Sequence, residues 1–136
     1  LRLDFGQERS HSVAVVQADP DRLQQCLTAL VDNALLYTKG IVRLTWSNSG
    51  HEWVLLHVED EGPGVEQHER QKIFERFVRG SAGLQSDQRG SGIGLAMVKL
   101  LMEAMHGSVA VEASACGGAD FQLKLLAISS NPDQLP

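Results

Sequence analysis

Two cysteines in 136 residues, Cys26 and Cys116, are too few for a disulfide framework or a four-ligand zinc site. They fit a reducing compartment. No apolar run approaches the ~18 residues that cross a bilayer, so direct membrane contact is not expected. Basic residues are outnumbered, 12 Lys and Arg against 17 Asp and Glu, for a formal net charge of -5. A phosphate-backbone surface needs clustered cations, so nucleic acid is not expected as a partner. The opening Leu1-Arg2-Leu3-Asp4-Phe5 lacks a signal peptide and an initiator Met, and the expectation is a piece of a longer protein. What remains is 43% hydrophobic and 21% charged, with no repeat and no low-complexity block, as in one globular domain. A chain of this length buries roughly two-thirds of its unfolded surface around a single core.

Hydrophobic spacing outlines the elements. Ser12 to Gln17 is rich in β-branched residues and reads as a strand. Asp19-Pro20 opens a helix, with Asp as N-cap and Pro in the first turn. Leu23, Cys26, Leu27, Leu30, Val31, Ala34 and Leu35 form its apolar face, and Gly40 ends it. Ile41 to Trp46 and Glu52 to Glu59 read as strands around the turn Ser47-Asn48-Ser49-Gly50. Glu66 to Phe77 reads as a short helix, and the glycine-containing stretch from Gly80 to Gly92 as a loop. Ile93 to Met105 is a second long helix, with Ile93, Ala96, Met97, Leu100, Leu101 and Ala104 toward the core. Strands near Ser108 to Ala113 and Ala119 to Ala127 follow, and residues 129–136 form a fraying tail beyond a domain at 1–128. Hairpins interleaved with helices predict an α+β fold, a two-layer sandwich with helices on one face of a mixed, mainly antiparallel sheet.

Four segments carry chemistry. Gly90-Ser91-Gly92-Ile93-Gly94-Leu95 places alternate glycines before a helix, where free N–H groups and the positive dipole end favour a phosphate. It is neither a dinucleotide fingerprint, whose last glycine would fall at Leu95, nor a P-loop. Asp60-Glu61-Gly62-Pro63-Gly64 puts a carboxylate at a strand end, able to accept from an exocyclic amine while the glycines pass a flat ring; an acidic strand end entering a turn is the plainer alternative. Asn33 interrupts a helix that Asn disfavours and shares a side with Tyr37; its amide oxygen suits Mg²⁺, although a solvent-facing or satisfied Asn is the commoner case. Ile73-Phe74-Glu75-Arg76-Phe77 brackets a charged pair with two aromatics, and core anchoring is expected for at least one of them.

In this order and spacing the segments resemble the catalytic ATP-binding domain of sensor histidine kinases. That domain has the Bergerat-type fold shared with the gyrase, heat-shock chaperone and mismatch-repair ATPases. Asp32-Asn33-Ala34 through Tyr37-Thr38 matches the asparagine box. Asp60, Gly62 and Gly64 match the first glycine box, residues 73–77 the phenylalanine box, and residues 90–96 the second glycine box. Gly117-Gly118-Ala119-Asp120-Phe121-Gln122-Leu123 resembles the closing strand. The likeness covers Ser12 to Leu126. It implies ATP and Mg²⁺ as cofactors. Asn33 would ligate the metal, Asp60 would bind the adenine amine, Gly62 and Gly64 would lie beside the base, and Tyr37 would line the pocket. Residues 78–89 would be a lid over the phosphates anchored by Phe74 and Phe77, and Ile73 would join these two among the nucleotide-binding residues. Gly90, Gly92, Gly94 and Leu95 would lie near the phosphates, with Arg79 as a phosphate contact.

The implied reaction is phosphoryl transfer to a histidine on a separate dimerisation domain of the same protein, then to an aspartate of a response regulator. None of His11, His51, His57, His68 and His106 stands in the family's acceptor context. The implied setting is the cytoplasmic side of a parent protein anchored in a bacterial inner membrane. Three positions depart from the pattern. Ala29 replaces the Glu or Asn found four residues before the metal asparagine, Leu36 replaces a Lys near the phosphates, and Ala119 replaces a Thr. They leave two further expectations open: a degenerate regulatory module with weakened ATP binding, or a protein-serine kinase of the anti-sigma-factor type.

Overall fold

The chain enters its first long helix through a side-chain cap. Asp19 Oδ1 accepts from the N–H groups of Asp21 (2.9 Å) and Arg22 (3.3 Å), and Pro20 begins helix α1, Pro20–Tyr37. The computed structural model describes residues 3–5, 15–38, 40–75, 93–115 and 117–128. Asp19→Ala is expected to cost about 1 kcal/mol of folding stability, read as a lower denaturant midpoint at unchanged slope.

The sheet has five strands in the order β1-β2-β3-β5-β4: β1 Leu3–Phe5, β2 Val42–Ser49, β3 Trp53–Glu59, β4 Ser108–Ala113 and β5 Ala119–Leu126. β1 lies parallel to β2, and every other pairing is antiparallel. Helix α1 and helix α2 (Ile93–Ala104) cover one face. Between the layers lie Leu30, Ala34, Val58, Val98, Met102, Phe121, Leu123 and Leu125, all buried. The expected α+β sandwich and mixed sheet are observed.

Several boundaries differ from the sequence reading. Among the described residues of the expected strand at 12–17, only Val16 forms a bridge, to Ala127. Gln17 N–H donates to Leu126 and Ile128 N–H to Val15, but the cap at Asp19 turns the chain away before a ladder forms. The three-residue strand β1 has no alternation to betray it. α1 ends at Thr38, whose N–H bonds Ala34, two residues before Gly40. β2 continues through Ser47-Asn48-Ser49, paired with Leu55, Val54 and Trp53, so the turn falls at Gly50, His51 and Glu52. The expected helix at 66–77 is two single 3₁₀ turns, Gln67–Glu69 and Lys72–Phe74; residues 76 and 77 lie outside the described residues, as do the 80–92 loop and the tail.

The face expected for α2 is rotated. Val98 and Met102 are buried, whereas Met97 is 37% and Leu100 67% exposed. Apolar residues occupy nearly every side of α2, so two stripes were readable, and packing selects the one through Val98 and Met102. Leu35 of α1 is likewise exposed.

Candidate functional site

Strand β3 ends at Glu59 and delivers Asp60 to the mouth between the helical layer and the sheet. Asp60 is buried, 4% exposed. Its own N–H donates to Ala119 C=O (2.9 Å). Its Oδ1 accepts from Gly62 N–H (2.8 Å) and Ala119 N–H (3.1 Å). The described hydrogen bonds to this carboxylate all end on Oδ1, which leaves Oδ2 for a donor from a ligand.

Two close approaches explain glycines here. A Cβ at position 62 would stand 2.7 Å from the carbonyl oxygen of Tyr37, so the loop passes directly against the end of α1. A Cβ at position 118 would stand 2.6 Å from Asp60 Oδ1 and would collide with the Asp60 carbonyl. The β4–β5 turn is thereby pressed against the carboxylate. Gly64, at φ +77°, approaches the carbonyls of Gly117 and Gly118. Asp60, Gly62 and the end of α1 at Tyr37 are thus brought together, with Gly64 against the β4–β5 turn. Asn33 lies one turn before Tyr37 on the same side of α1 and is half-buried.

Other expected residues fall differently. Ile73 and Phe74 are buried in the core, with Phe74 edge-to-face on Phe121 at 6.1 Å and 84°. Both belong to the core cluster between the helices and the sheet. A Cβ at Gly94 would meet no described atom within 4 Å, and Leu95 packs on the core at the start of α2. Phe77, Arg79, Gly90 and Gly92 lie outside the described residues. Ala29, Thr28, Asp32 and Met97 line an open cleft of about 750 Å³ between the helices, and neither Asn33 nor Asp60 borders it.

Sequence reasoning missed a network on the open face of the sheet. His57 Nδ1 lies 3.1 Å from Asp120 Oδ2 and 3.2 Å from Oδ1, and so carries the proton such a contact requires. His57 Nε2 is 2.9 Å from Ser47 Oγ, and Gln122 Nε2 donates to Asp120 Oδ2 (2.9 Å). The hydrogen bond to Asp120 raises the His57 pKa from its ordinary value of 6.5, against partial burial; the charges of Asp120, Glu59 and Glu112 add to the rise. Stability from this contact is therefore complete below about pH 6.5 and is lost as pH climbs through the folded-state value. Alternation in β3 put His57 opposite the core face, but its partners depend on strand register.

This chain belongs to the family described as histidine kinase-, DNA gyrase B- and HSP90-like ATPases, whose match spans residues 18–128. Within that family it is an ATP-binding domain of the two-component histidine kinase type. It is 35% identical over 113 residues to the sensor histidine kinase TmoS of Ectopseudomonas mendocina, covering 82% of this chain and 12% of that one. It is 35% identical over 126 residues to the adaptive-response sensory kinase SasA of a Synechococcus strain, covering 91% and 33%. The chain thus spans about a tenth to a third of the length of these curated relatives. Among solved structures it resembles the mycobacterial sensor histidine kinase MprB (TM-score 0.71, 28% identity, 84% of this chain and 76% of that one). It also resembles full-length ShkA, crystallised in complex with AMPPNP (TM-score 0.72, 35% identity, 88% and 25%).

Proposed function

We propose that this domain binds Mg-ATP and donates the γ-phosphoryl group to a histidine on a separate dimerisation domain of the same sensor kinase, for relay to an aspartate of a response regulator. The observation that carries this reading is Asp60: buried at the end of β3, with Oδ1 accepting from two main-chain donors and Oδ2 accepting from none among the described residues. The exocyclic amine of adenine is a donor of the required kind. Asn33 would supply an amide oxygen to Mg²⁺, which takes one or two protein oxygens and completes its shell with phosphates and water. The bound metal supplies charge neutralisation, and the chain supplies positioning. Arg79, Gly90, Gly92 and Gly94 are assigned to the phosphate end.

The acceptor lies outside residues 1–128, the extent proposed for this domain, in keeping with the small share of each relative that the chain spans. Exposed Met97 and Leu100 give α2 an apolar surface on which such a domain can dock. No described helix is long and apolar enough to cross a membrane. We place the domain on the cytoplasmic side of a parent anchored in a bacterial inner membrane.

The test is calorimetric titration of the chain with ATP in Mg²⁺ and in EDTA, followed by a phosphorylation assay of the protein that contains it. Binding that weakens in EDTA, and an acid-labile phosphoryl adduct abolished by Asn33→Ala, are the expected results. An acid-stable adduct would point to a serine kinase. The second reading, a degenerate regulatory module, rests on Ala29, which lines the cleft beside Asp32 with no group able to bind metal or activate water. Absence of ATP binding by a folded sample would favour it.

A further inference from the structure

Strand register places three carboxylates side by side. Glu59 of β3 stands opposite Asp120 of β5, and Asp120 stands opposite Glu112 of β4. All three sit on the face away from the helices. Like charges directly opposite one another on a sheet repel. The row is also the last before Asp60: Asp60 follows Glu59, and Ala119, which both donates to and accepts from Asp60, precedes Asp120. Ser114 Oγ donates to Glu59 Oε1 (3.3 Å), and Ser114 N–H bonds Gly118 C=O (2.9 Å), which ties the turn under Asp60 to the same row.

His57 is the titratable group set against this row. Of the cations facing it, Arg43 of β2 stands opposite Glu59 at the outer end, and Lys124 of β5 lies over the Trp53 ring at 4.7 Å. The middle of the row, Asp120, is held by the imidazole, with Gln122 on the same oxygen. Ser47 adapts to either state of the ring, since its hydroxyl accepts from protonated Nε2 and donates to neutral Nε2. Loss of the ring's charge therefore leaves the hydrogen-bond pattern intact and uncovers the repulsion between β3, β5 and β4.

We infer that protonated His57 is a positioning residue for Asp60: by neutralising the Glu59–Asp120–Glu112 row from the open face, it holds β3 and β5 together where the base-binding carboxylate is anchored, so nucleotide affinity falls as His57 loses its proton. The inference rests on the reading of Asp60 as the base anchor. It adds no contact to the nucleotide, and the coupling runs through the two Ala119–Asp60 hydrogen bonds, one between main chains and one from Ala119 N–H to the Asp60 carboxylate.

Linkage makes the effect reciprocal: if the proton favours nucleotide, nucleotide favours the proton by the same factor. The test follows the His57 ring resonance of the 136-residue chain through a pH titration, with and without saturating ADP, and measures ADP affinity at about pH 6 and about pH 8.5 for the unaltered chain and for His57→Gln. The expected results are a His57 titration displaced upward by ADP and affinity about fivefold weaker at the higher pH, beyond the change seen in His57→Gln. The variant cancels the titration of ADP itself, because that contribution is common to both proteins. A role confined to stability would lower the unfolding temperature of His57→Gln and leave both readouts unmoved. An identical His57 titration with and without ADP overturns the inference without needing any variant to fold. Asp60→Asn run in parallel separates the two ideas: undiminished ADP binding there would remove the base-anchor reading itself, whereas lost binding there, together with a His57 titration in the unaltered chain that ADP does not move, would remove only the positioning role.

Discussion

Asp60→Asn is expected to weaken ATP binding about a hundredfold while leaving the fold intact, on the scale of a lost charge-assisted hydrogen bond in a buried site. The substitution is nearly isosteric, and the amide keeps one oxygen. That oxygen is claimed by Gly62 N–H and Ala119 N–H, both main-chain donors with fixed directions. The amide nitrogen must then face the ligand, where a donor meets the donor of the adenine amine. Calorimetric titration with ATP measures the loss, and thermal unfolding checks the fold. Affinity within about threefold of the unaltered chain would mean that Oδ2 is not what the base meets, since hydrogen bonds to charged groups are worth more than that.

The second large effect concerns the core behind the site. Phe121→Ala is expected to cost about 3–5 kcal/mol, the usual range for emptying a buried aromatic position. Phe121 is 2% exposed and meets the ring of Phe74 edge-to-face. The gap cannot collapse easily, since β5 is held between β3 and β4 and Phe74 ends a 3₁₀ turn packed on α2. Denaturant unfolding gives the free energy, and a chain of this size should lose roughly 10–20 °C in Tm. A loss below about 1 kcal/mol would show that Phe74 swings in to fill the space, and would put the anchoring role of that ring in doubt.

Where local chemistry decides structure, the sequence was readable. Asp19-Pro20 and the 3.6 spacing through Cys26, Leu30 and Ala34 define α1, and the glycines after Asp60 mark the close approaches there. Where the outcome depends on what lies across the fold, it was not. α2 offers two apolar stripes, and only the sheet beneath it selects Val98 over Met97. Ser, Asn and Ser at 47–49 carry turn propensity, yet pairing with Trp53, Val54 and Leu55 keeps them in β2. Glu59, Glu112 and Asp120 are far apart in the chain and become neighbours only through register. The ladder likewise gives His57 partners that no local pattern announces.

The strand order has a consequence for how the site comes into being during synthesis. β5 is the last of the described strands to leave the ribosome, yet it sits between β3 and β4 near the middle of the sheet. Until it inserts, β3 and β4 have no common partner, and Ala119 is not there to receive Asp60. Such long-range pairing is slow to form, so the Asp60–Ala119 contact is among the last to be made. The proposed base anchor is thus completed by the last described strand to be made, not by the segment that carries it.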